Sequence, residues 1–302
     1  DVNPDLVVRG DVRPRFGQVE QLLDGADLVL GGSAGIVAAG LARLGLATSL
    51  LACVGHDRFG DIVLGELADR SVATDLVRRD PLRSTGLSIV LSEPDDRAIL
   101  TLPGAIPSLT ADHVPDDALG RARHVHVTSF FLQPELAAGL AELFQRAHRA
   151  GCSTSLDTNW DPAGRWAGVR EVLPLTDVFL PNAAEVLAIT GRPVSDSADS
   201  DLVNGAAAEL RALGPVVAIK AGSAGALAVG PDGTEAVPGM RTEVADTTGA
   251  GDSFDAGFLT AWLRGLPLRE CLRWGVVAGS LSTRAAGGTA AQVNLAELLD
   301  AL

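Results

Sequence analysis

The sequence has few of the residues that would form a disulfide framework, a metal cluster or a membrane span. Its three cysteines, Cys53, Cys152 and Cys271, are far apart and form no CxxC pair among 302 residues. We expect reduced, mostly buried thiols. No apolar run reaches the roughly 18 residues needed to cross a bilayer, and no signal-peptide pattern is visible. We therefore expect a cytoplasmic protein with no membrane partner.

Positive charge is also scarce. Lys and Arg together number 24 against 38 Asp and Glu, which gives a net charge of -14, and Lys220 is the single lysine. A chain this acidic repels nucleic-acid backbones, so we expect no nucleic-acid partner. The charge does not exclude ATP, because backbone N–H groups can bind phosphate locally.

Two common nucleotide-binding motifs are missing. Nothing matches the P-loop pattern GxxxxGK[ST]. A Rossmann GxGxxG is absent as well, since Gly249-Ala250-Gly251 is followed by Phe254 where the third glycine should stand. A dehydrogenase is therefore a remote alternative.

The patterns that are present predict one α/β domain over residues 1–302. Hydrophobic residues make up 47% of the chain and charged residues 21%, which is enough to build a large core. Helical patterns, for example over 33–46 and 135–150, alternate with short apolar strands such as 152–157 and 216–220. This alternation predicts a mostly parallel central sheet covered by helices on both faces.

Two segments depart from this alternation. Residues 6–18 and 84–102 read as β structure with polar interruptions, and no covering helix follows promptly. We interpret them as a small β flap, or lid, beside the main sheet. Two exposed edge hairpins are the alternative.

The strongest chemical signal lies at 246–257, with the sequence DTTGAGDSFDAG. Gly249, Ala250 and Gly251 leave the backbone almost bare just before a helical pattern, which favours an anion hole for phosphate. Asp252 follows in the first helical turn. A carboxylate beside a phosphate pocket suits a general base that accepts a proton from an attacking hydroxyl. The alternative is an ordinary helix-capping Asp.

This segment is similar to the C-terminal signature of the PfkB (ribokinase) family of carbohydrate kinases. A counterpart of the family's N-terminal signature begins at Gly31-Gly32, includes Leu44-Gly45, and continues through Val54-Gly55 to Gly60. The resemblance covers essentially the whole chain in the same order and spacing. It implies a ribokinase-like fold and ATP-dependent phosphorylation of a hydroxymethyl group on a sugar or sugar-like substrate.

The resemblance also implies roles for individual residues of this motif. Asp252 would be the catalytic base, and the amides of Gly249–Gly251 would stabilise charge on the transferring phosphoryl group. Asp246 and Thr248 stand where the family's ligands for a monovalent cation such as K⁺ would be. The flap would close over the sugar, and because such flaps pair two subunits in many relatives, a homodimer is a further expectation.

Two segments resemble the family's nucleotide side. Asn182 and Glu185 match an NxxE motif that organises Mg²⁺ and its waters near the phosphates of ATP; a helix-start Asn with Glu in the first turn is the alternative. Lys220, Gly222 and Gly225 resemble a strand and turn that pass close to ATP. A solvated charge at a strand end is the alternative for Lys220.

The acceptor side has a counterpart near the first residues of the sequence. Asn3 and Asp5 resemble an N-x-D pair that hydrogen-bonds sugar hydroxyls, and Gly31 and Gly32 would complete that pocket by close backbone approach. A carboxamide and a carboxylate suit polyol recognition. Asn-Pro-Asp is also a turn sequence, which is the alternative.

Three positions depart from the family pattern. Ile36 stands where relatives have an Asn that reaches substrate hydroxyls, Ile106 stands where Asn is common, and Asp161 stands where a basic residue is common. Either the substrate has fewer polar groups near Ile36, or another residue takes over its role. The changes weigh slightly against a phosphorylated acceptor.

Two rival functions follow. One is a nucleoside kinase of the same superfamily. The other is a sugar-binding regulatory protein on this fold, catalytically weak because of Ile36. Asp252, Asn182 and Glu185 are all present, which argues against the second rival.

Overall fold

The computed structural model describes residues 1–93, 97–194 and 200–302. The strands there are β1 (Asn3–Gly10), β2 (Leu23–Gly31), β3 (Cys53–Gly55), β4 (Arg78–Asp80), β5 (Leu87–Ser92), β6 (Arg97–Leu102), β7 (His124–Val127), β8 (Ser153–Leu156), β9 (Val178–Phe179), β10 (Val216–Lys220), β11 (Gly225–Gly230) and β12 (Gly233–Pro238). The helices are α1 (Ser33–Arg43), α2 (Arg58–Asp69), α3 (Asp116–Leu119), α4 (Pro134–Arg149), α5 (Val169–Val172), α6 (Ala183–Ile189), α7 (Ser200–Arg211), α8 (Ala250–Trp262), α9 (Leu268–Ser282) and α10 (Leu295–Ala301).

The central sheet has six strands in the order β12-β11-β10-β9-β8-β7. Strands β7 to β10 are parallel, and β11 and β12 extend the sheet in antiparallel fashion. The prediction of a mostly parallel sheet is confirmed. Parallel neighbours need crossover connections, and α4 makes the crossover between β7 and β8.

Helices cover both faces of this sheet, which strand β10 shows directly. Val217 and Ile219 pack into a buried cluster with apolar side chains of α4, α6 and α7. Ala218, which points to the opposite face, packs into a second cluster with α8, α9 and α10. Because successive strand residues face opposite sides, a strand buried on both faces reads as a continuous apolar run.

A second sheet has the order β2-β1-β5-β6. Strand β1 pairs antiparallel with β2 and parallel with β5, and β5 pairs antiparallel with β6. The two segments that break the helix–strand alternation therefore contribute to one sheet, not to two separate hairpins. We call this four-stranded sheet the flap.

The flap differs from the prediction in its bounds. Strand β1 begins at Asn3 and ends at Gly10, and residues 11–18 contain no strand. Strand β2, which was not predicted, supplies the partner for β1. Its sequence LDGADLVLG carries Gly and Asp, which strands disfavour, and much of it is exposed at the sheet edge. Pairing with β1 therefore outweighs weak local propensity. Of the segment 84–102, residues 94–96 lie outside the described residues.

A close crossing of α1 and α8 places the first turns of the two helices side by side. A Cβ on Gly40 of α1 would lie only 2.7 Å from the Cβ of Ala256 on α8, so no larger side chain separates them there. Helix α8 also begins beside the end of β10, since a Cβ on Gly251 would lie 3.6 Å from Lys220 Nζ. The site described below lies at this junction, at the carboxyl edge of the parallel strands. In the described part of the chain, no helix is both long and apolar enough to cross a membrane.

Candidate active site

The conformation of the loop before α8 requires a glycine at position 249. Gly249 precedes the helix with φ 69°, a left-handed conformation that other residues rarely adopt. A Cβ at this position would lie 2.6 Å from Gly288 Cα and 3.1 Å from Ile36 Cγ2. The loop therefore packs against residues on both sides, and only glycine fits.

The start of α8 has free backbone donors. Neither Gly249 N–H nor Gly251 N–H donates a backbone hydrogen bond within the described residues, whereas Ala250 N–H lies 3.3 Å from Thr247 O. Unpaired amides at a helix start carry the positive end of the helix dipole. The predicted anion hole at Gly249–Gly251 therefore has donors available for a phosphate group.

Asp252 lies in the first turn of α8 beside these amides. Its carboxylate does not cap the helix; instead it accepts a hydrogen bond from Ser33 Oγ at the start of α1. Asn159 Nδ2 donates to the same Ser33 oxygen at 2.7 Å. Burial raises the pKa of Asp252 to about 7, although the Ser33 hydrogen bond acts in the opposite direction. A carboxyl with this pKa can accept a proton near neutral pH.

Lys220 is an internal ion-pair residue and not a solvated strand end. Its Nζ lies 2.7 Å from Asp157 Oδ2 and 3.2 Å from Asp255 Oδ1, and its side chain is 12% exposed. Although burial acts in the opposite direction, these two carboxylates raise the pKa of Lys220 above its usual range. Burial raises the pKa of Asp255 well above its usual range. The lysine is therefore charged and anchored.

Asn182 and Glu185 form a reciprocal cap at the start of α6. Asn182 Oδ1 accepts from Glu185 N–H at 2.9 Å, and Glu185 Oε2 accepts from Asn182 N–H at 2.9 Å. The helix-start alternative thus describes their local geometry. Burial and the nearby charge of Asp157 raise the pKa of Glu185 to about 7. A buried carboxyl next to other acids leaves negative charge that a cation would compensate.

Four carboxyl groups therefore surround one lysine at the sheet edge. We call Asp157, Glu185, Asp252, Asp255 and Lys220 the acid cluster. If every acid were ionised, the negative charge would exceed the positive charge. Burial is the main cause of the raised pKa values of Glu185 and Asp252, and the charge of Asp157 adds to it. Mg²⁺ prefers oxygen ligands and keeps several of its waters, so Asn182 and Glu185 could contact the ion through water.

The predicted acceptor residues come together on the flap. Asn3 Nδ2 donates to Asp5 Oδ1 at 2.8 Å and to Ser88 Oγ at 3.1 Å. A Cβ on Gly31 would lie 2.1 Å from the Asp5 carboxyl carbon, so the glycine makes room for that carboxylate. Burial raises the pKa of Asp5 to about 6. Gly32, with φ 75°, links β2 to α1.

Ile36 packs against the loop before α8. It is 3% exposed, and its side chain packs where Gly249 and Gly288 would carry a Cβ. It thus supports the loop before α8. Ile106 is likewise buried, at 2% exposure. The Asp161 carboxylate accepts hydrogen bonds from the N–H groups of Ala163, Arg165 and Trp166, so both of its oxygens already have partners.

The two glycines of the nucleotide-side turn differ in their surroundings. A Cβ on Gly225, at φ 103°, would lie 2.1 Å from Val237 O, so this glycine is required for packing against β12. A Cβ on Gly222 would meet nothing within 4 Å. The backbone at Gly222 is therefore open to close approach by a ligand.

Asp246 and Thr248 lie together in the loop before α8. Asp246 Oδ1 accepts from Thr248 N–H and Thr248 Oγ1, each at 2.8 Å, and Asp246 Oδ2 accepts from Gly287 N–H at 2.8 Å. Although burial acts in the opposite direction, these bonds lower the pKa of Asp246. Within the described residues, no group of three or more His, Cys, Asp or Glu could hold a metal ion. A monovalent cation here stays a prediction.

Four residues of the site were not assigned a role from the sequence: Ser33, Asp157, Asn159 and Asp255. Asp157 ends a buried strand pattern, and Asp255 lies inside an apolar helical pattern. Both are positions where an unpaired charge would be costly, so a partner could have been expected. Nothing in the sequence indicates that Ser33 and Asn159 meet, because 126 positions separate them.

Comparison with known proteins gives consistent relatives. The model of a family described as pfkB family carbohydrate kinase matches residues 10–294. The chain is 33% identical over 237 residues to an uncharacterized sugar kinase of Archaeoglobus fulgidus, covering 78% of this chain and 91% of that protein. It is 31% identical over 265 residues to the ATP-dependent ribose-1-phosphate kinase of Halopiger xanaduensis, covering 86% and 82%.

Solved structures agree on the fold. The ribokinase of Arabidopsis thaliana complexed with ribose and ATP superimposes with a TM-score of 0.84, covering 99% of this chain and 95% of that one. The two sequences are 24% identical, so this likeness supports the ribokinase-like α/β fold alone.

The raised pKa of Asp252 predicts that Asp252→Asn stabilises the ligand-free protein, and more so at high pH. The ordinary Asp pKa is 3.8 and the folded value is about 7. The unfolded chain therefore binds fewer protons between these values, so wild-type stability falls as pH rises from about 4 to 7. Asn has no such titration. We expect the stability advantage of Asp252→Asn to be about 2–3 kcal/mol larger at pH 8 than at pH 5 in urea unfolding. An advantage that is equal at both pH values would contradict the raised pKa.

Proposed function

Because the chain belongs to the pfkB family of carbohydrate kinases, we propose that it uses ATP to phosphorylate a hydroxyl, expected to be a hydroxymethyl group, of a sugar or sugar-like acceptor. The observation that carries this proposal is the position of Asp252 in the first turn of α8. There a carboxyl with a pKa of about 7 adjoins the unpaired amides of Gly249 and Gly251. A base and an anion hole side by side are what phosphoryl transfer to an alcohol requires.

Asp252 removes the acceptor's proton in this proposal. As the acceptor oxygen bonds to the γ-phosphorus, its proton moves to the Asp252 carboxylate and ADP departs with the electron pair of the broken P–O bond. The base must be ionised before the reaction, and with a pKa of about 7 the ionised form is well populated at neutral pH. Ser33 Oγ, which donates to this carboxylate, fixes its orientation.

The loop before α8 stabilises the charge on the transferring group. The amides of Gly249, Ala250 and Gly251 are fixed by the helix and by packing on Gly288, so they need no reorganisation during the reaction. Lys220, held by Asp157 and Asp255, keeps the start of α8 against the sheet edge.

Asn182 and Glu185 would hold Mg²⁺ through its waters. When bound, the ion neutralises phosphate charge. Both residues are pre-ordered by their reciprocal cap, and Gly222 leaves open backbone for the nucleotide. K⁺ beside Asp246 and Thr248 belongs to the same proposal.

The acceptor binds on the flap side in this proposal. Asn3 donates to Asp5, and Asp5 lies against Gly31, which supports a role for this carboxamide and carboxylate in binding sugar hydroxyls. We propose that the flap acts as a lid that limits hydrolysis of ATP by excluding water. The whole chain would work as one domain in the cytoplasm.

We expect Asp252→Asn to lower the phosphorylation rate by about 10²–10⁴-fold, because the isosteric amide cannot accept the proton. The assay is ADP release with ATP·Mg²⁺ against pentoses, hexoses, sugar acids, sugar phosphates and nucleosides. ATP binding, measured by calorimetry, should persist. Asp61→Asn is the matched control, since Asp61 lies in the first turn of α2 with its side chain 68% exposed. Near-normal turnover in Asp252→Asn would refute the assignment of the base.

We also propose a homodimer through the flap. Leu28, Ile99, Leu100 and Leu102 on its two edge strands are each between 41% and 55% exposed. Light scattering should give twice the chain mass of 31.0 kDa. Leu100→Asp should give a single chain, because a charge in an apolar interface is costly. Leu299→Asp, at a 50% exposed position on α10, should remain dimeric. A wild-type mass of one chain would contradict the dimer.

A further inference from the structure

Asn159 has an oxygen without a partner next to the proposed base. Its side-chain Oδ1 is buried and, within the described residues, makes no hydrogen bond. A buried, unpaired acceptor costs about 1–3 kcal/mol. The residue also has φ 53°, a left-handed conformation that Asn tolerates but does not prefer. Unsatisfied groups and unusual backbone in one residue are typical of ligand-binding positions.

The hydrogen-bond chain to Asp252 fixes which end of the carboxamide is free. Ser33 Oγ has one hydrogen, which it donates to the Asp252 carboxylate. It can therefore only accept from Asn159, whose Nδ2 lies at 2.7 Å. The amide nitrogen faces Ser33, and the buried carbonyl oxygen is left without a partner within the described residues.

The Asn159 side chain is linked to the base through its amide nitrogen and a single hydroxyl group. Asp252 and the Asn159 carboxamide bind the same Ser33 oxygen from two sides. A carbonyl oxygen accepts a hydroxyl hydrogen, but it repels a phosphate or carboxylate oxygen in that place.

Building on the proposed kinase function, we propose that Asn159 Oδ1 accepts a hydrogen bond from the acceptor hydroxyl next to the one that Asp252 deprotonates. Ile36 offers no polar group for this role, because its side chain packs against the loop before α8. The acceptor class that follows is a polyol with a free, uncharged hydroxyl beside the reacting group.

The test crosses one enzyme variant with a set of altered acceptors. The best acceptor of the wild type is compared with its monodeoxy analogues, each lacking one hydroxyl. Asn159→Gly removes the carboxamide and suits the left-handed backbone. Ser71→Gly, at φ 61° after α2, is the control for added backbone freedom. Binding by calorimetry and kcat/KM are measured in parallel, and the KM for ATP checks that the nucleotide side is intact.

We expect the analogue that lacks the neighbouring hydroxyl to lose about 10–100-fold in kcat/KM with the wild type and with Ser71→Gly. With Asn159→Gly, the same analogue and its parent should differ by no more than about threefold, while the other analogues keep their wild-type penalties. An unchanged pattern in Asn159→Gly would overturn the role of Asn159.

The parallel readouts keep this inference separate from the kinase proposal. If acceptors bind without turnover, the kinase proposal fails, and the same comparison of affinities decides the role of Asn159. If no acceptor either binds or reacts, both proposals fail.

Discussion

The pairing of Lys220 with Asp157 and Asp255 is the interaction on which the rest of the site depends. It joins the end of β10, the residue after β8 and the second turn of α8 through one buried ammonium group. Removing either partner of such a buried pair leaves an uncompensated charge, which is strongly destabilising. The lysine therefore fixes where α8 begins relative to the sheet. The anion hole and Asp252 both belong to that first turn.

This anchoring leaves an excess of negative charge in the free protein. One lysine serves four carboxyl groups, and burial raises the pKa of both Asp252 and Glu185 to about 7. Burying this excess charge lowers the stability of the free protein, as is common at functional sites. The net charge of -14 and this local excess would both repel an anionic nucleotide. In the proposed mechanism, the backbone amides before α8 and Mg²⁺ offset this repulsion at the phosphates.

The sequence was most informative where function is carried by consecutive residues. The segment 246–257 indicates the loop, the helix start and the first-turn Asp, because all three are local features. Strand β2 was missed, since its Gly and Asp residues give no strand pattern and its pairing with β1 is what forms it. The cap of α6 shows that a helix-start motif and a proposed magnesium motif can be the same residues. Ile36 was expected near the acceptor, and in the structure its side chain packs against the loop before α8. The contact of Asn159 with Ser33 exists only in the folded chain.

The central claim is that ionisation of Asp252, held by Ser33, controls the rate. It is tested most directly by the pH dependence of kcat/KM for the acceptor at saturating ATP·Mg²⁺, in the wild type and in Ser33→Ala. The account predicts a wild-type acid limb with an apparent pKa near 7. It also predicts a shift of that limb to higher pH in Ser33→Ala, because the carboxylate loses a hydrogen bond that stabilises its charge. A flat profile between pH 5.5 and 8.5, or an acid limb that is identical in the two proteins, would contradict it.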